Sequence, residues 1–321
     1  MFDLKGRRIM VTGGAGFLGR VLCARLKERG ANVSIPEYPE FDLTQVEAVR
    51  RAYDALKPEV VFHLAAEVGG IGANREHPGR FFFANMAMGL HLIEEGRIRS
   101  LAKFIQVGTV CAYPKFAPVP FKEDDIWNGY PEETNAPYGI AKKSLLVMID
   151  AYRREYGFNG VFLLPVNLFG PGDNFHPETS HVIPALIRKI IEARETNKPE
   201  VPIWGTGKAS REFLYVEDCA EGLALAAERL ESSVPVNLGT GREIAIGDLA
   251  RLIVSLAGYN GKLAFDPTKP DGQPRRCLDI SRARDLIGYE ARTTLEDGLR
   301  KTIAWFEDQR RSGTIREVVY G

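Results

Sequence analysis

Three glycines, Gly13, Gly16 and Gly19, stand directly between an apolar run, Arg8–Thr12 (RIMVT), and a segment of helical periodicity. This spacing constrains the chain more than any other feature. A strand that turns at once into a helix needs one glycine for the tight turn, one where backbone approaches a ligand and one where helix packs on strand. The helix start then presents N–H groups and a partial positive charge, which suits a pyrophosphate. Such a triplet is weak evidence alone, but its position in the first strand–helix unit favours dinucleotide binding over a plain structural turn.

The alternation continues through the first half. Ala31–Ile35, Val60–Ala65 (VVFHLA), Lys103–Thr109 (KFIQVGT) and Gly160–Asn167 read as strands, whereas Val21–Arg29, Val46–Leu56, Phe81–Ile98 and Tyr138–Tyr156 read as helices. Strands separated by helices of this length require right-handed crossovers and a parallel sheet covered on both faces. The expected fold is α/β, a doubly wound parallel Rossmann sheet that binds ligands at the carboxyl ends of its strands. Gly170-Pro171-Gly172-Asp173-Asn174 then breaks the pattern. Behind it, Val182–Arg194, Ile246–Ala257 and Thr294–Gln309 read as helices and Val201–Trp204 as a strand. Residues 1–168 are expected to form the dinucleotide domain and 169–321 a smaller substrate lobe, with 234–240 returning to the large sheet.

Lys+Arg and Asp+Glu both number 42, so no bulk field draws the chain to nucleic acid or an anionic membrane, and neither is expected as a partner. The polar start lacks a signal-peptide core, no run is apolar enough to span a bilayer, and the four cysteines form no CxxC pair. A cytoplasmic protein in a reducing compartment is the expectation. His176 and His181 have the wrong spacing for a helical metal pair and no nearby ligand cluster, so no metal is expected.

Two further features carry chemistry. Tyr138 and Lys142 lie at i and i+4 on one helix face. A phenol with a pKa near ~10 exchanges protons poorly at neutral pH, and a neighbouring ammonium favours its phenolate. Thr109, at a strand end, offers a hydroxyl to hold a substrate oxygen beside that phenol. After the second strand, Glu37 sits 21 residues past Gly16, where an acid suits a ribose 2′-hydroxyl, and no Lys or Arg lies between Gly30 and Arg50. By charge alone the cofactor is NAD. Arg20 and Asp42 remain open to either a cofactor contact or a local role, as solvated arginine and helix cap.

The glycine loop, the Thr109/Tyr138/Lys142 set and six segments in order make the chain resemble the extended short-chain dehydrogenase/reductases that act on nucleotide sugars. More narrowly it is similar to the GDP-L-fucose synthase family of 3,5-epimerase/4-reductases. The segments are Leu64–Pro78, Val110–Asp125, Asn135–Lys143, Asn167–Lys189, Ile203–Asp218 and Lys269–Arg276. The resemblance implies a GDP-sugar substrate, NADPH as reductant, and a homodimer through a four-helix interface. It implies Cys111 and His181 as base and acid for epimerisation beside Thr109, Tyr138 and Lys142. Cysteine and threonine, two apart on an extended strand end, would point the same way. The implied dinucleotide contacts are Gly13, Gly16, Phe17, Leu18, Gly19, Glu37, Asp42, Leu43, Leu64, Ala65, Ala66, Tyr138, Lys142 and His181. The implied nucleotide-sugar contacts are Asn167, Val182, Lys189, Trp204, Arg211 and Arg276. Phe82, Phe83, Met86, Met88, Leu145, Leu146 and Met148 would supply the dimer interface.

The chain departs from that pattern in two ways. Thr109 stands where the family usually has serine, and the basic residue expected after the second strand of an NADPH enzyme is missing. Two other readings therefore stay open: an NAD-retaining epimerase or 4-dehydrogenase on a related GDP-hexose or GDP-heptose, and a non-catalytic dinucleotide-binding protein. The bland readings of single residues also stand: Cys111 as a small buried hydrophobe, Trp204 as core, Arg211 paired with Glu217 or Asp218, and His63 and His91 as core or helix-face residues.

Overall fold

The computed structural model describes residues 1–69, 71–269, 271–315 and 317. Gly70 and Pro270, which fall within two of the segments named above, lie outside the described residues, as do 316 and 318–321. The chain runs β1 (Arg8–Thr12), α1 (Phe17–Glu28), β2 (Asn32–Ser34), α2 (Val46–Leu56), β3 (Val60–His63), α3 (Ile71–Glu76), α4 (Pro78–Ile98), β4 (Lys103–Val107), α5 (Ala136–Tyr156) and β5 (Gly160–Pro165). It continues β6 (Asn167–Phe169), α6 (Val182–Glu195), β7 (Glu200–Trp204), β8 (Ser210–Tyr215), α7 (Val216–Arg229), β9 (Val236–Leu238), β10 (Glu243–Ala245), α8 (Ile246–Ala257), β11 (Lys262–Asp266), α9 (Ser281–Ile287) and α10 (Leu295–Ser312).

Six strands make one sheet in the order β2-β1-β3-β4-β5-β9, every neighbouring pair parallel. β3, β4 and β5 are buried along their whole length because helices cover both faces, which is why they read as unbroken apolar runs. Since β2 lies on one side of β1 and β3 on the other, a crevice opens between the loops that follow β1 and β3. The remaining strands form β10-β8-β6 and the parallel pair β11-β7.

Two hydrophobic cores result. The larger holds the six-stranded sheet with α1, α2, α4 and α5, and also residues of α7, β9 and α9. The smaller is built by α6, β7, β8, α8 and α10 around Phe169 and Phe175, whose ring stacks on Phe306 at 4.3 Å. The chain therefore returns to the large core after leaving it. β9 pairs with β5, and α7 packs on α1, where Arg29 bonds Glu221 at 2.7 Å and Glu228 at 3.1 Å.

The structure corrects three element boundaries. α1 begins at Phe17, directly after the loop, not at Val21. β4 stops at Val107, and Val110–Ala112 winds into a tight turn capped by the Thr109 hydroxyl, so Cys111 is not on an extended strand end. Asn167 belongs to β6, in a different sheet from Gly160–Pro165. Among the described residues, no helix is long and apolar enough to cross a membrane, and no group of three His, Cys, Asp or Glu side chains could hold a metal.

Candidate active site

The glycine loop is shaped by close approaches. Gly13 has φ +70°, and a Cβ there would lie 2.9 Å from the Ala65 amide nitrogen, against the backbone that leaves β3. A Cβ on Gly19 would collide with the Gly13 carbonyl, so only glycine lets α1 close on the loop. α1 has Gly16 as its N-cap, no side-chain cap and no acid in its first turn. Its first N–H groups, from Phe17 onward, are thus presented to an anion without competition. This cradle fits a dinucleotide diphosphate, and the backbone of Leu64 and Ala65 lies against Gly13 on its far side.

Glu37 is exposed beyond β2. Arg20 folds its Nε onto the Gly16 carbonyl at 3.4 Å. Asp42 takes a local role: its carboxylate accepts from the Thr44 amide (3.0 Å) and hydroxyl (2.7 Å) just before α2. The Leu43 side chain is buried in the large core. Both residues thereby shape the approach to α2.

At the other side of the crevice, α5 carries Tyr138 and Lys142 in its first two turns. Its position is fixed by Gly139, where a Cβ would strike the Cys111 carbonyl. The helix start thereby sits directly on the Thr109–Ala112 turn, and Tyr138, partly buried, is next in chain to that contact. The Thr109 oxygen accepts from the Cys111 amide at 3.2 Å, which leaves its own hydroxyl proton free to donate to a substrate oxygen. Lys142 is fully buried, its Nζ 3.5 Å from the Ala65 carbonyl. Burial with so little compensation pushes its ammonium down to about 7.

Behind this wall lies a pair that sequence reasoning did not connect. Thr12 and His63 close the β1–β3 ladder, with Thr12 Oγ1 and His63 Nδ1 2.7 Å apart, and Thr12 also accepts the Ala65 amide at 3.2 Å. His63 is wholly buried, and desolvation, then the nearby Lys142 charge, holds its imidazole well below its ordinary pKa. His91 is a partly buried helix-face residue of α4, its Nδ1 3.5 Å from the Leu43 carbonyl.

The second lobe brings the remaining residues together through a chain of contacts. Arg276 Nη1 lies 3.9 Å from Cys111 Sγ, and Gln273 Oε1 holds the same guanidinium at 3.1 and 3.3 Å. The segment is strapped to the loop after Cys111, since Gln273 Nε2 donates to the Lys115 carbonyl at 2.9 Å and Phe121 N to the Cys277 carbonyl at 2.8 Å. Arg211 does not pair with Glu217 or Asp218; it donates to the Ser210 and Asp271 carbonyls. Burial first, and Arg276 second, lowers it to about 10. The two guanidiniums repel each other and the Asp271 carboxylate attracts Arg211, an arrangement that suits an anion. Asp271 latches Thr206 (2.7 Å to both amide and hydroxyl), which sets the turn after Trp204.

Trp204 is 65% exposed and not core; Lys189 and Lys269 lie 5.6 and 5.7 Å from its ring centre. Lys189 stands two turns after Val182 on α6, and burial lowers its pKa. His181 is the N-cap residue of α6, open to solvent on one side yet ringed by enough protein that desolvation holds its imidazole below the usual value. Asn167 donates to the Glu212 carbonyl at 2.9 Å, beside Arg211. Sequence reasoning missed Gln273 and Glu212. The buried Glu212 carboxylate accepts the amides of Leu278 (2.6 Å), Gly241 (2.8 Å) and Thr240 and so anchors the Arg276 segment; burial raises its pKa against those bonds.

With a dinucleotide cradle, a phenol–lysine pair, a cysteine and an arginine-rich anion site around one crevice, the comparisons with known proteins fall into line. The family model described as "NAD dependent epimerase/dehydratase family" matches residues 9–239. The chain belongs to that family. It is therefore an NAD(P)-dependent enzyme of the extended short-chain dehydrogenase/reductase type, and the reading as a non-catalytic binding protein falls. It is similar to GDP-L-fucose synthase 1 of Arabidopsis thaliana, with 39% identity over 303 residues, 94% of each chain. Among solved structures it is similar to a GDP-6-OMe-4-keto-L-xylo-heptose reductase from C. jejuni, with TM-score 0.90 and 27% identity over 96% of this chain and 99% of that one. A GDP-L-fucose synthetase from Naegleria fowleri, bound to NADP, aligns with TM-score 0.87 and 25% identity over 97% of each chain.

Proposed function

We propose that this enzyme epimerises C3 and C5 of a GDP-4-keto-6-deoxy sugar and reduces its 4-ketone, as GDP-L-fucose synthases do. The observation that carries the reading is the contact of the Cys111 turn with both the α5 start and Arg276. One residue set can then serve proton transfer at carbon and proton delivery to oxygen on the same sugar. Gly13, Gly16, Gly19, Leu64, Ala65 and Ala66 hold the dinucleotide, which when bound supplies hydride chemistry at nicotinamide C4.

Cys111 takes a proton from the carbon next to the ketone, and His181 returns one on the opposite face. Thr109 and Tyr138 hold the 4-keto oxygen, and Tyr138 gives its proton to that oxygen as the carbinol forms. Lys142, buried and poorly compensated, gains a counter-charge when the phenolate appears, which lowers the cost of that proton transfer. Arg211, Arg276, Lys189, Trp204, Asn167 and Val182 bind the GDP moiety, the tryptophan as a stacking surface. NADH is the preferred reductant, because Glu37 and the absence of a basic residue after β2 suit a free 2′-hydroxyl. The assembly is a homodimer through α4 and α5, and the chain works in the cytoplasm.

The test is incubation with GDP-4-keto-6-deoxymannose in deuterium oxide with NADH or NADPH. The reading expects deuterium at C3 and C5, one dinucleotide oxidised per sugar, and a higher kcat/KM with NADH. Isomerised sugar with no net oxidation would support an NAD-retaining epimerase on a related GDP-sugar, which the Glu37 environment also suits.

A further inference from the structure

We infer that Arg276 is a positioning residue for the epimerisation base, and not only a grip for the diphosphate of the nucleotide. This rests on the reading of Cys111 as that base. Three observations support it. The guanidinium reaches the sulfur itself, Nη1 to Sγ 3.9 Å, from 165 positions away in the chain. It is aimed there by Gln273, whose Oε1 takes both Nε and Nη2 and leaves Nη1 for the sulfur. Among the described ion pairs none joins Arg276 to a carboxylate, and a second arginine, Arg211, is close enough to repel it. A guanidinium N–H held on the sulfur fixes where the sulfur points and can hydrogen-bond its charged form, the nucleophilic and basic form of cysteine.

The chemistry that follows is specific. As the C3 or C5 C–H bond breaks, an S–H bond forms on Cys111, and the electron pair moves through the α-carbon to the 4-keto oxygen. The negative charge leaves the sulfur in that step, while the guanidinium of Arg276, proposed above to bind the nucleotide, stays in contact with the sulfur. Nucleotide recognition and proton abstraction thus share one side chain.

Alkylation of the free enzyme separates the two roles, because it needs no substrate. Cys23, Cys219 and Cys277 are buried and Cys111 is not, so iodoacetamide reads Cys111, with the site checked by peptide mass. Arg276→Gln is expected to slow alkylation at pH 7.5 about tenfold, the lower end of what a hydrogen bond to a charged group supplies. Arg276→Lys should retain most of the wild-type rate, which also excludes a folding defect as the cause. Unchanged alkylation in Arg276→Gln, with weaker GDP binding alone, would overturn the inference and leave Arg276 a phosphate ligand. The proposed function is judged separately: wild-type enzyme that incorporates no deuterium at C3 or C5 fails that reading, whatever the alkylation rates.

Discussion

In the proposed function, Tyr138 and Lys142 decide the chemistry at the scale of single residues. Tyr138→Phe removes the proton donor and should lower kcat for 4-keto reduction about 10²–10⁴-fold. Dinucleotide binding, followed by nicotinamide fluorescence, should be retained. Lys142 gives a prediction in stability. Its folded pKa of about 7 lies below the unfolded value near ~10.4, so between those values the unfolded chain holds a proton that the folded chain has released. Stability from this group therefore rises with pH through that window, and below it the folded state bears the full cost of the buried charge. Lys142→Met should be more stable than the wild type at pH 6.5, by up to roughly 4 kcal/mol, with the gap closing toward pH 10. Urea denaturation of the cofactor-free proteins at both values measures it. The i, i+4 spacing of the pair was legible in the sequence, but the burial of the lysine was not, because it depends on a strand end from elsewhere in the fold.

At the scale of elements, the alternating strands and helices of the first half announced the parallel sheet because each central strand is buried on both faces. What stayed hidden were features set by close packing between elements. Gly139 against the Cys111 carbonyl is an ordinary glycine in sequence, and Gly13, although marked by the loop pattern, gives no sign there that it packs on Ala65. α7 was also unread, although Glu217, Asp218, Glu221 and Glu228 fall on one face at helical spacing, opposite the buried Cys219, Leu223 and Ala227. Thr109 and Cys111 were read on an extended strand, whereas the chain winds into a turn there. The β1–β3 junction can be tested by Thr12→Val, which keeps the shape and strips the hydroxyl from between His63 and the Ala65 amide. Leaving those buried groups unpaired should cost about 1–3 kcal/mol in chemical denaturation. Thr12→Ser should restore most of it.

For the whole molecule, the Arg276 segment straps onto the loop after Cys111. That juxtaposition joins residues 165 positions apart, and no local pattern in the chain could announce it. The nucleotide end was legible only through resemblance, and Trp204 shows the difference: a tryptophan in an apolar stretch reads as core until the fold exposes it between two lysines. The apolar residues of α4 and α5 divide in the same way. Met88, Leu145 and Leu146 are buried in the chain's own core, whereas Phe82, Phe83, Leu90 and Val147 remain exposed. The proposed homodimer would cover this second group. Phe83, 61% exposed, is the residue to test: Phe83→Asp should convert the dimer to monomer in sedimentation at micromolar concentration, with its circular dichroism unchanged.

The central claim is that hydride and proton meet on one carbonyl in the crevice between the glycine loop and Tyr138. Nicotinamide dinucleotide carrying deuterium on both C4 positions, mixed with GDP-4-keto-6-deoxymannose, tests it most directly. The account predicts one deuterium on C4 of the product sugar for each dinucleotide oxidised, and its loss in Tyr138→Phe. A sugar released without deuterium at C4 would contradict it, as would transfer that persists undiminished without the phenol.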